Sequence, residues 1–141
     1  MWSAGTCCAA TIGVSLAAGG NAWAPMSDRN VKENFSPVDE REILDRLAAV
    51  SVETWNLKSQ DPAIRHIGPM AQDFYAAFAV GEDETHINSV DADGVALAAI
   101  QGLHTMLRER DGQIADQREE IRALQQQNAA LEARVAALEK R

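Results

Sequence analysis

The sequence predicts an α+β chain, a small mixed globular domain of helices and short strands followed by a long C-terminal helix that pairs in a coiled coil. Three observations predict it. Helical and strand-like periodicities alternate between residues 36 and 90. Apolar residues then recur at heptad spacing from Ile100 to Leu138. Charge falls into three regimes along the 141 residues: none of Asp, Glu, Lys or Arg in 1–26, 14 acids against 6 bases in 27–93, and 7 of each in 94–141. The chain has room for one compact domain and an extension. The expected division is 1–26 as the remnant of an upstream β-rich passenger or a linker, 27–98 as the domain, and 99–141 as the coiled coil.

The uncharged opening lacks the basic n-region of a signal peptide. Residues Thr11 to Trp23, rich in Gly, Ala and Ser, read instead as a short strand and a turn. Cys7 and Cys8 are adjacent, which fits neither a zinc knuckle nor a CxxC redox pair, so no disulfide framework is expected.

Ser36-Pro37-Val38-Asp39 sets a hydroxyl before a proline, with an acid three residues on. That spacing predicts a helix from about Pro37 to Val50 with Ile43, Leu44, Leu47 and Val50 on one face. Alternation predicts a strand over Val52–Leu57, a turn at Asp61-Pro62 and a second strand over Ile64–Ile67. Gly68-Pro69 punctuates the chain before a helix carrying Met70, Phe74, Phe78 and Val80. The acids at 82–84 read as a solvated loop, His86 to Val90 as a third short strand, and Asp91 and Asp93 as caps of the last helix.

In that last helix the a and d positions are Ile100, Leu103, Leu107, Arg110, Ile114, Gln117, Ile121, Leu124, Asn128, Leu131, Val135 and Leu138. Arg110, Gln117 and Asn128 are its polar members. A lone helix would leave this stripe wet, so the chain must associate. Arg134 at g and Glu139 at the following e can pair between parallel strands. Pattern alone leaves dimer and trimer open.

The net charge of −8 and a pI of about 4.8 argue against a nucleic-acid partner, whose phosphates need clustered Lys and Arg. No apolar run approaches the roughly 20 residues that cross a bilayer, so no membrane partner is expected. His66, His86 and His104 lie on separate elements without ligand spacing, so neither metal nor cofactor is expected. His86 is noted as a candidate neighbour of Ser27. Trp55, Met70, Phe74 and Phe78 read as core, and Gln72 receives no role.

The chemistry rests on the lysines. There are three, Lys32, Lys58 and Lys140, against ten arginines, and lysine can serve as a base once burial favours its neutral form, whereas arginine cannot. Lys140 lies at the end of the coiled coil and Lys58 before a turn. Lys32 stands five residues after Ser27, the makings of a Ser-Lys dyad.

Ser27-Asp-Arg-Asn-Val-Lys-Glu-Asn34, then Ile67-Gly-Pro-Met-Ala-Gln-Asp73, then Val90-Asp-Ala-Asp-Gly-Val-Ala-Leu-Ala-Ala-Ile-Gln101 and a terminal coiled coil closely resemble the endosialidase-type intramolecular chaperone domain. That family ends phage tailspikes and tail fibres and occurs in bacterial fibre proteins and myelin regulatory factor. The resemblance spans about Trp23 to Arg141; Pro69 and Met70 after Gly68 depart from its pattern. It implies a parallel homotrimer that templates folding of the upstream fibre passenger in the same chain, then releases itself by cutting between Met26 and Ser27. Ser27 would be the nucleophile and Lys32 the base, with Asp28 and Asn34 as supporting matches. It also implies a virion tail-fibre or prophage-derived bacterial fibre context, with folding in the cytoplasm and the passenger acting outside the cell. A trimerisation tip that keeps the fold without cutting is the competing expectation.

Overall fold

The computed structural model describes residues 13–16 and 18–140, so Cys7, Cys8 and half of the uncharged opening lie outside the described residues. Two two-residue strands come first, β1 (Val14–Ser15) and β2 (Ala24–Pro25), paired antiparallel with Val14 opposite Pro25 and Ser15 opposite Ala24. The strand and turn expected here are present. A single 3-10 turn, Arg29–Val31, follows.

Helix α1 spans Glu40–Ala49, starting three residues later than Pro37. The cap is Asp39 rather than Ser36: its carboxylate Oδ1 accepts the backbone N–H groups of Arg41 and Glu42, both at 3.0 Å. The acid assigned to the first turn thus terminates the helix itself, because a carboxylate satisfies two orphan donors and suits the positive end of the dipole.

Strands β3 (Glu53–Trp55) and β4 (His66–Gly68) form an antiparallel pair with Thr54 opposite Ile67 and Trp55 opposite His66. Both are shorter than their alternation suggests. The backbone N–H of Gln60 bonds Leu57 O and that of Ile64 bonds Asp61 O, so Leu57 and Ile64 belong to turns. Arg65 staples the pair by donating to Thr54 O at 2.6 Å and Asn56 Oδ1 at 3.1 Å. Trp55, expected in the core, is half-buried and stacks on His66 with ring centroids 4.7 Å apart. The sheet has two strands, and the indole Nε1 is buried without a hydrogen-bond partner among the described residues.

Helix α2 (Ala71–Phe78) ends at Ala79, whose φ of 51° lets its N–H bond Tyr75 O. Val80 lies past that end. Helix α3 runs unbroken from Ser89 to Glu139, capped at Asn88. The third strand expected over His86–Val90 is therefore absent among the described residues, and Asp91 and Asp93 are helical rather than caps. The β-leaning text Ile-Asn-Ser-Val loses to packing: Ile87 closes onto the core while Val95, Ala99 and Gly102 lie along one face of α3 against α1.

The core is small. Phe74, Phe78 and Val95 form its centre, with Ile43, Leu47, Val50, Ala77 and Ile87 packed around them. Each fully buried side chain of this size contributes about 1.5–3 kcal/mol. The approach of α1 to α3 depends on Gly102, where an added Cβ would lie 2.4 Å from Glu40 O and 2.9 Å from Glu40 C. Backbone atoms in a capped first turn have nowhere to go. Gly102→Ala is accordingly expected to destabilise the domain by about 1–3 kcal/mol through overpacking, although alanine by itself favours a helix by about 1 kcal/mol. Chemical denaturation of an uncut variant measures it; unchanged or raised stability would refute the close approach.

Past Gly102, Arg41 Nη2 of α1 still reaches Glu109 Oε2 at 2.6 Å; the residues of α3 after Glu109 are exposed. The heptad side chains Ile114, Ile121, Leu124, Leu131, Val135 and Leu138 are all exposed. Among the described residues, no helix is long and apolar enough to cross a membrane.

Candidate active site

The local fold around Ser27 is made by Asp28. Its side chain caps the 3-10 turn, Oδ1 accepting the backbone N–H of Asn30 and the Asn30 amide Nδ2, each at 2.9 Å. An Asp two residues before an Asn stabilises such a turn through this local bond. The turn closes with Val31 N–H on Asp28 O and Lys32 N–H on Arg29 O, both at 3.3 Å. A tight turn of three residues reverses the chain, so the side chain leaving it returns over the residue that entered.

Lys32 is that returning side chain. Its Nζ donates to Ser27 Oγ at 2.7 Å. The structure therefore brings together the two residues assigned to nucleophile and base. As an ammonium, Lys32 can only donate; as a neutral amine, it can accept the hydroxyl proton over the same distance. Both residues are exposed in the single chain.

Asp28 acts on the turn and makes no bond to Ser27 or Lys32 among the described contacts. Asn34 adopts φ 54°, a left-handed conformation that asparagine tolerates better than most residues; it redirects the chain after the turn and bonds neither member of the pair. Asn30 was missed by sequence reasoning, although the Asp-x-Asn spacing carries its signal.

On the other side of the Met26–Ser27 peptide bond, Met26 N–H donates to Gly13 O at 2.8 Å, extending the β1–β2 pairing to the residue before Ser27. Nothing in the residue pattern pointed to Gly13. Met26 itself is half exposed.

His86 is committed elsewhere. Its Nδ1 lies 2.9 Å from Asp83 Oδ1, which also accepts the Thr85 hydroxyl at 2.6 Å and the Thr85 backbone N–H at 2.7 Å. The Thr85 hydroxyl first, and then His86, hold the Asp83 carboxyl well below the usual carboxylate range. The acidic loop is thus locally ordered on the surface. His66 Nε2 lies 3.0 Å from Gln60 Oε1, and Gln72 is exposed. Among the described residues, no group of three or more His, Cys, Asp or Glu side chains could hold a metal ion.

Residues 27–80 match the family model described as chaperone of endosialidase. The match begins at Ser27 and ends beyond α2. No curated protein and no solved structure matches the chain.

Proposed function

Residues 27–80 constitute an endosialidase-type chaperone domain, and from that premise we propose that the chain is an intramolecular chaperone that trimerises, promotes folding of an upstream fibre or spike passenger, and frees itself by cutting Met26–Ser27. The observation that carries the cutting is the 2.7 Å contact between Lys32 Nζ and Ser27 Oγ, formed in a turn that starts at the nucleophile.

In the first step Ser27 Oγ bonds to the carbonyl carbon of Met26 while neutral Lys32 takes the hydroxyl proton. The carbon–nitrogen bond breaks, and the Ser27 nitrogen receives that proton and leaves as an amine. Water then hydrolyses the ester, restoring the Ser27 hydroxyl and leaving Met26 with a carboxylate. This is a single turnover on the chain's own backbone. It needs no cofactor.

Assembly supplies what one chain lacks. A compact monomer of this mass exposes about 7,100 Å², whereas this chain exposes 12455 Å², with the heptad stripe open along α3. Parallel copies joined at that stripe bury it. Packing copies together around the Ser27 turn would withdraw water from the exposed Lys32–Ser27 pair. The cut then reports that the trimer has formed, which is the right moment for a folding helper to leave. The family fits the end of a tail fibre or a bacterial fibre.

Intact mass of the purified chain beside Ser27→Ala tests the reading. The parent should yield a fragment starting at Ser27, and the variant should stay full length while remaining oligomeric. A parent that stays whole would make the chain a trimerisation tip without cleavage; a variant still cut at Met26–Ser27 would remove Ser27 as nucleophile.

A further inference from the structure

The hairpin that holds the scissile bond lies entirely on the side that cleavage discards. Strands β1 and β2 precede Met26, and the last contact of their pairing is the 2.8 Å bond from Met26 N–H to Gly13 O. On the far side, Ser27 is gripped by Lys32. The bond to be cut is thus clamped from both flanks, by the passenger's end on one and by the chaperone's turn on the other.

We propose that Gly13 is a positioning residue for self-cleavage, so that the Met26–Ser27 bond becomes reactive only when the end of the passenger has folded into the β1–β2 hairpin. This rests on the self-cleaving function proposed above and adds a second condition to it. Assembly activates the base; folding of the preceding segment presents the carbonyl.

The geometry supplies the reason. The N–H and the carbonyl of Met26 flank one α-carbon, and the peptide units on either side are planar. Tethering the N–H to Gly13 O restrains the Met26 backbone, so the carbonyl carbon that Ser27 Oγ must reach is held in a narrow set of orientations. A free segment would spread that carbonyl over many, and reactions that depend on such alignment lose orders of magnitude in rate when it is lost. Gly13 directs its own carbonyl from φ +148°, a conformation that L side chains rarely adopt, while open space surrounds the position. A methyl group added there strains the backbone without striking a neighbour.

The test uses the full chain synthesised in a cell-free reaction, with cutting followed on denaturing gels and assembly by cross-linking. Gly13→Ala, and separately a chain lacking residues 1–15, should each assemble as the parent does yet cut roughly a hundredfold more slowly. The slow cutting by Gly13→Ala should keep the parent's dependence on pH, because the base and its surroundings are untouched. Cutting at the parent rate in the shortened chain would overturn the proposal, as would a shifted pH profile in Gly13→Ala or loss of the trimer in both variants, which would make the hairpin an assembly element. Ser27→Ala run alongside separates the two readings: if it is cut, the self-cleavage mechanism fails; if it is intact while the hairpin variants cut normally, the positioning role alone fails.

Discussion

Lys32→Arg is expected to leave the Met26–Ser27 bond intact over times in which the parent is fully cut. Arginine preserves the charge and the capacity to donate to Ser27 Oγ on a slightly longer side chain. What it cannot do is give up its proton near neutral pH. If Lys32 merely holds the hydroxyl in place through the 2.7 Å bond, arginine should serve nearly as well. If it accepts the proton, the rate should fall by about 10²- to 10⁴-fold, the usual contribution of a general base. Time-resolved intact mass of the parent and the variant measures it. Cleavage by Lys32→Arg at the parent rate would show that the lysine only orients.

The second large effect lies far from the serine. Replacing Ile121 and Leu124 together by aspartate should abolish assembly and, with it, cutting. In the single chain both side chains are about half exposed, at 53% and 51%, so the domain itself loses nothing. In an assembled seam the same positions at a and d would bring carboxylates together without partners, at several kcal/mol for each buried ion. Sedimentation should show single chains, and gels should show the uncut length. Because those residues and Ser27 lie on separate elements, loss of cleavage here has assembly as its cause. A variant that stays monomeric and still cuts would break the link.

Legibility followed the range of the interactions. The Ser27–Lys32 pair was readable because it is local: five residues separate them, and the intervening Asp-x-Asn turn is stabilised by its own side chains. The heptad stripe was readable because repetition over many turns leaves no other period. The α2 helix stood out through Phe74 and Phe78, which pack at helical spacing. Where two signals competed, the sequence misled. Ser36-Pro37 looked like a helix start, yet the Asp39 carboxylate three residues on made the stronger cap. His86 to Val90 looked like a strand, yet Ile87, Val95 and Ala99 had a core to fill against α1, and that packing extended α3 back to Ser89.

Long-range contacts were invisible. Gly102 gave no sign that its missing side chain admits the Glu40 carbonyl, because the closeness belongs to two helices more than fifty residues apart. Gly13 read as one small residue in a Gly/Ala/Ser-rich stretch until its carbonyl was seen on Met26. In the candidate site, the Ser27–Lys32 contact was thus legible and the bond from Met26 to Gly13 was not.

The measurement that bears most directly on the account is the rate of cutting as a function of chain concentration, read by intact mass while native mass follows association. Assembly-dependent activation predicts that dilute, freshly made chains stay whole as monomers and that cutting accelerates as chains are concentrated, appearing only with the assembled species. Cutting of monomers at a rate that does not change with concentration would contradict it.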